Sequence, residues 1–196
     1  MTHSRRAAVA WLSAGLSYLT LEAVAAGAFQ PTYSYAHNFI SDLGVPLHSP
    51  LAWLMNTAFA VQGTLFLAGA ILSRGPRPFL AFAAANAVGN VLIALFHSGS
   101  AAHAVGAVLA IVGGNAAILA ASSMIGGRHR GVSLTLGGFG LVSFAVFVFA
   151  LQNPGLGPLG VWERCSVYSI TAWELVTGGW LLSRRPTPSP HRARQA

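Results

Sequence analysis

Seven side chains able to do chemistry lie at the polar edges of the chain's long apolar runs. His37, Asp42 and His48 fall between the first two runs, His97 and His103 between the third and fourth, and Glu163 and Arg164 at the start of the last. Neutral imidazole and carboxylate are suitable zinc ligands, and the same groups act as acids and bases near neutral pH. The spacing is not that of a metal motif, since there is no H-E-x-x-H and Cys165 is the single cysteine. A metal site would have to be assembled by the fold from separate loops, with His37, His97 and His103 as candidate ligands. Asp42, His103 and Glu163 are the candidate catalytic groups. Ser41, adjacent to Asp42 on one turn, is a poor nucleophile, because neighbouring residues rarely share a productive geometry.

The elements that must position these groups are set by composition. Apolar residues make up 54% of the 196-residue chain and charged residues 8%, against about 25% charged in a soluble domain. Such a chain cannot cover a water-facing surface, so most of its solvent is lipid. About 20 apolar residues cross a bilayer as a helix. Six runs qualify: 7–29, 51–73, 78–96, 104–125, 132–151 and 162–183. The expected fold is therefore all-α, a polytopic bundle of six transmembrane helices in one domain over residues 1–185, with a disordered cytoplasmic tail at 186–196.

All eleven basic residues are Arg, and ten lie before span one, between spans two and three, between spans four and five, or after span six. By the positive-inside rule those segments and both termini are cytoplasmic. The net charge of +7 does not indicate nucleic acid, because the arginines form short clusters between apolar runs and not a contiguous basic face. Arg5 and Arg6, an apolar run and Ala23-Val24-Ala25 have the outline of a signal peptide, but the run is long and contains Glu22, which favours a retained span.

Several polar residues fall inside the spans. Glu22 and Glu174 are carboxylates at membrane depth, where an ionised group must be paired, neutralised or wet. Asn86 and Asn90 fall near one face of span three, and Glu163 and Glu174, eleven residues apart, share a face of span six. Such amides either bond between helices or line a cavity. Small residues recur every four positions at Gly106, Ala110 and Gly114, at Gly113, Ala117 and Ala121, and at Ala81, Ala85 and Gly89. That spacing allows close helix packing within the bundle, or a homo-oligomer seam along Gly106, Ala110 and Gly114.

Arg164 is the one Arg on the outer side, which makes Asp42 its expected partner through a bidentate ion pair. Ser41 is placed to cap the same turn, and Gly44 offers a positive-φ position for chain reversal. The stretch Tyr35–Gly44 is thus expected to fold inward over the bundle.

The stretch His37-Asn38-Phe39-Ile40-Ser41-Asp42-Leu43-Gly44 resembles the N-x-I-S-D-L-G signature of a six-span prokaryotic membrane family, domain-of-unknown-function nine-nine-eight. His103-Ala104-Val105-Gly106-Ala107 resembles the histidine opening that family's fourth span, and Gly160-Val161-Trp162-Glu163-Arg164 with Trp173 its G-x-x-E-R…W pattern. After span three the family often shows Phe-Pro and a nearby Asp, where this chain reads Phe96-His97-Ser98-Gly99-Ser100. The I-S-D-x-G element is also distantly similar to the first luminal loop of the eukaryotic FRAG–DRAM–Sfk group, which is linked to lipid remodelling, autophagy and organisation of a lipid kinase at membranes. The resemblance implies a six-span architecture and no agreed activity.

Three functional readings follow. The leading one is a protein of the inner (plasma) membrane that binds a lipid or small amphiphile in an outward-facing polar pocket closed by the Asp42 loop, with Asn38, Ser41, Asp42, His103, Glu163 and Arg164 around it and no cofactor. In that reading Arg164 is the natural partner for a phosphate. The alternatives are an intramembrane hydrolase or transferase using Asp42, His97, His103 and Glu163, and a small transporter using Glu22 and Glu174.

Overall fold

The computed structural model describes residues 3–124, 126–153, 155 and 157–184, so the tail at 186–196 lies outside the described residues. Six long helices account for most of them: α1 (His3–Gly27), α2 (Ala52–Leu72), α3 (Arg77–Leu95), α4 (Ala101–Ala121), α5 (Arg128–Gln152) and α6 (Leu159–Ser183). One further element, a short 3-10 turn over Ile40–Gly44, sits in the α1–α2 loop. Helices α1 to α5 are long and apolar enough to cross a membrane. α6 is equally long but more polar, because it carries Glu163, Arg164, Ser166, Ser169, Thr171, Glu174 and Thr177, all buried inside the bundle.

Several helices begin before their apolar runs, because caps and chain geometry set a helix start as much as hydropathy does. The Ser100 hydroxyl accepts the His103 amide at 3.1 Å and starts α4 at Ala101, an N-cap that satisfies a backbone donor with no partner inside the helix. Pro78 lies in the first turn of α3, where its missing N–H costs nothing.

Each helix packs against its neighbours in sequence, and α6 returns to α1, so the six close into a ring with α4 touching α6 across the interior. Chain reversals alternate between two ends. At one end His3 meets Arg74 at 3.2 Å, and Arg184 lies over the Trp180 ring at 3.6 Å. At the other end the α1–α2 loop meets the start of α6.

The core has two apolar layers. Trp11, Phe66, Phe79 and Trp173 form one, with the Trp11 and Trp173 rings 5.0 Å apart edge to face. Both indoles have acceptors, Trp11 donating to Phe66 O at 3.2 Å and Trp173 to Ser133 Oγ at 2.8 Å. The second layer, nearer the loop, contains Tyr18, Met55, Phe59 and the loop's own Ile40 and Leu43.

The two small-residue rows of α4 are taken up by this packing. Gly106, Ala110 and Gly114 are buried, with Gly106 against Gly89 and Leu92 of α3 and Gly114 against Ile170 of α6. The row therefore packs against α3 and α6 within one chain.

Candidate functional site

The loop and the start of α6 form one interlock. The turn over Ile40–Gly44 places Ile40 and Leu43, 1% and 0% exposed, between the helices. Its first amide, Phe39 N–H, donates to Asp42 Oδ2 at 2.9 Å. Asn38 Oδ1 accepts the Ser34 amide at 2.9 Å, and Gln30 N–H donates to His48 O at 3.0 Å to close the loop's base. These bonds are local, as expected of Asp and Asn side chains in turns.

Asp42 is therefore a capping group, and the expected Asp42–Arg164 pair does not form. The ion pair found among the described residues is Arg164 with Glu22 of α1, Nη2 to Oε1 at 3.4 Å, with both residues buried. Arg164 Nη1 faces three carbonyls, Tyr35 O at 2.7 Å, Asn38 O at 2.9 Å and Gly160 O at 3.1 Å. Its Nη2 also donates to the Tyr33 hydroxyl, and the guanidinium lies 4.8 Å from the Tyr35 ring centre and 5.3 Å from that of Tyr33. Tyr33 in turn donates to Phe39 O at 2.8 Å. Burial pushes the Tyr33 phenol above its ordinary range even against the adjacent Arg164 charge, so it keeps the proton this bond requires. Tyr168 completes the set, its hydroxyl 2.9 Å from both oxygens of Glu22.

Two further residues of the α6 start serve the same loop. Glu163 Oε2 accepts the Ile40 amide at 2.6 Å. A Cβ on Gly160 would lie 2.9 Å from Ala36 O and 3.0 Å from Ala36 C, so only glycine lets the loop backbone run against α6 there. Gly160, Glu163 and Arg164 thus supply space, an acceptor and a donor fork to one loop. Gly44 also acts through space: its φ is not positive, and a Cβ would meet the Asn56 amide, which donates to Gly44 O at 3.1 Å. Ser41 makes no capping bond and instead lines a cavity.

Glutamine at position 163 keeps an acceptor for the Ile40 amide, whereas alanine removes it. Glu163→Ala is therefore expected to loosen the loop by about 1–3 kcal/mol, the cost of an unmet buried donor, and Glu163→Gln to loosen it by much less. Hydrogen exchange at Ile40 to Leu43 measures the difference; equal protection in both variants would show that Glu163 does not dock the loop.

Beneath the turn lies an interior cavity of about 50 Å3, lined among others by Ser41, Gln62, Asn86, Asn90, His103 and Glu163. Beside it a groove of about 300 Å3 runs down between α4 and α5. Its walls are Val108 and Ile111 on one side and Phe144, Phe147, Val148 and Leu151 on the other, and its upper end is Ser41, Ser98, His103 and Glu163. Ser41, His103, Ala107, Ile111 and Glu163 border both spaces.

The other sequence candidates are placed apart. His37, His48 and His97 are exposed, and among the described residues no three His, Cys, Asp or Glu side chains converge on a possible metal position. His103 Nδ1 lies 2.9 Å from Phe96 O. Asn86 bridges to α4 through Ala110 O at 2.6 Å, Asn90 bonds back to Asn86 O at 3.0 Å, and Glu174 accepts from Gln62 at 3.3 Å. Glu22 and Glu174 thus bond to different partners. Tyr33, Tyr168 and Gln62 are site residues that the motif reading did not select. Tyr168 had a usable signal, since it lies four residues after Arg164 and so on the same face of the helix.

No curated protein and no solved structure matches the chain. The profile of the family described as "Protein of unknown function (DUF998)" matches residues 11–180. That stretch contains both halves of the interlock and all the described polar lining of the cavity beneath it; this multi-pass helical membrane protein belongs to the DUF998 family.

Proposed function

We propose that the protein binds a lipid or comparable small amphiphile at the end of the bundle covered by the Asp42 loop, as a six-span protein of the inner (plasma) membrane with both termini cytoplasmic. The groove between α4 and α5 carries this reading. Its wall is apolar along its length, it opens sideways where Val108, Val148 and Leu151 are exposed, and it ends at His103, Glu163 and Ser41. An apolar slot ending in a few convergent polar groups is the usual form of an amphiphile site.

The sixth span is supported by the length of α6, 25 residues or roughly 37 Å at 1.5 Å per residue, and by its place in the ring. Its polar side chains face inward, which is where lipid-embedded polar groups are tolerated. The orientation rests on the clustering of arginine at the end opposite the loop. The loop itself is a plug: Arg164, Glu163 and Tyr33 hold it from three directions. Access to the site is accordingly lateral, through the groove.

Native mass spectrometry of the detergent-purified protein tests this. Bound lipid is expected in the wild type and reduced at least about tenfold by Ala104→Trp, which fills the polar end of the groove from an exposed position. Absence of bound lipid, or retention unchanged by Ala104→Trp, would overturn the reading.

A further inference from the structure

Acceptors predominate in the small cavity, outnumbering the Tyr18 and Ser41 hydroxyls that also line it. No described residue donates to Gln62 Oε1 or Asn86 Oδ1, although both residues are buried, 4% and 1% exposed, and both line the cavity. Their amide nitrogens are engaged elsewhere, Gln62 Nε2 with Glu174 and Asn86 Nδ2 with Ala110 O. His103 adds a third acceptor. A carbonyl only accepts, so the bond between Nδ1 and Phe96 O puts the proton of the neutral ring on Nδ1 and leaves the Nε2 lone pair free. Glu163 adds a carboxylate, one oxygen of which serves the Ile40 amide. The neighbouring cation, Arg164, lines neither the cavity nor the groove, and its Nη atoms are held by the loop carbonyls, Tyr33 and Glu22.

Buried acceptors without donors are costly, and they select an occupant by what it can donate. A phosphate brings further acceptors and negative charge. A quaternary ammonium brings charge but no N–H. A primary ammonium brings three N–H donors and a positive charge. A cavity of about 50 Å3 holds only a few water-sized groups, which suits the aminoethyl end of a larger molecule. The adjoining groove has room and apolar walls for the rest.

We propose that the cavity under Ser41 binds a primary ammonium group, held by Gln62, Asn86, His103 and Glu163, and that the group belongs to an amphiphile whose apolar part lies in the α4–α5 groove. This rests on the amphiphile reading above for the source of the ammonium, not for its recognition. A free small amine would meet the same acceptors.

The test uses the full chain in detergent, with native mass spectrometry and thermal stability as readouts. The probes are phosphatidylethanolamine, phosphatidylcholine and phosphatidylglycerol of identical acyl chains, and free ethanolamine. Phosphatidylethanolamine is expected to bind at least about tenfold better than either other lipid, with the ratio falling to about one in Asn86→Leu and in Glu163→Gln. Glu163→Gln preserves the loop acceptor, so it remains informative if Asn86→Leu does not fold. Equal binding of the three lipids overturns the ammonium site and leaves the amphiphile reading standing. Stabilisation by ethanolamine with no lipid bound upholds the ammonium site and overturns the amphiphile reading. Stabilisation by sodium or potassium alone, or a preference unchanged in both variants, overturns the ammonium site.

Discussion

Arg164→Ala is expected to cost about 3–5 kcal/mol of stability, the range for removing one partner of a buried pair. The loss is large because the guanidinium does several jobs at once. Without it Glu22, 1% exposed, is left as a buried carboxylate supported by Tyr168 alone, and the carbonyls of Tyr35 and Asn38 lose the donor that binds the loop to α6. Lysine is a poor replacement, since a single ammonium cannot reproduce the fork that reaches carbonyls on one side and carboxylate on the other. Thermal unfolding in detergent reads the effect. A double-mutant cycle with Glu22→Gln identifies its origin: neutralising Glu22 removes the uncompensated charge, so the double variant is expected to be more stable than the sum of the single effects by about 1–3 kcal/mol. Additive effects would show that the pair is not the hinge of the interlock.

Gly89→Leu is expected to be comparably damaging for a different reason. At this position α3 and α4 meet backbone to backbone. A Cβ on Gly89 would lie 2.5 Å from Gly106 O and 2.8 Å from Leu109 C, and neither can rotate away as a side chain would. Forcing extra methylenes into a packed contact typically costs about 1–3 kcal/mol, and more where backbone must move. Separating these helices also widens the bundle at Asn86, whose bond to Ala110 O crosses the same interface. Gly138 on α5 is the control. A Cβ there meets nothing within 4 Å, so Gly138→Leu is expected to be neutral or slightly stabilising, since glycine is about 1 kcal/mol poorer than alanine as a helix former. Equal melting temperatures for the two variants would contradict the close approach.

The sequence by itself determined the class of molecule and where its polar groups gather. Long apolar runs, a scarcity of charge and arginines in clusters follow from the energetics of lipid as a solvent, which act locally along the chain and leave a local record. The same record marked Tyr35–Gly44 and Gly160–Arg164 as distinctive. It did not determine how they fit together. By charge count Asp42 was the natural partner for Arg164. The tertiary structure gave that place to Glu22, 142 residues away in sequence, because Asp42 finds a donor three residues back at Phe39 while Glu22 lies buried beside α6 with few alternatives. Gly44 and Gly160 were legible as glycines, but only the packed structure shows that both are required for close approach and not for a left-handed backbone. The spacing of Gly106, Ala110 and Gly114 pointed to close helix packing, and only the tertiary structure shows that α3 and α6 are the elements packed against it. The sequence offered polar amides that could either bond between helices or line a cavity, and it did not say which of them meet around one space. The cavity is made by Ser41, Gln62, Asn86, His103 and Glu163 from a loop and four helices, and a cavity exists only where separate elements fail to fill the space between them.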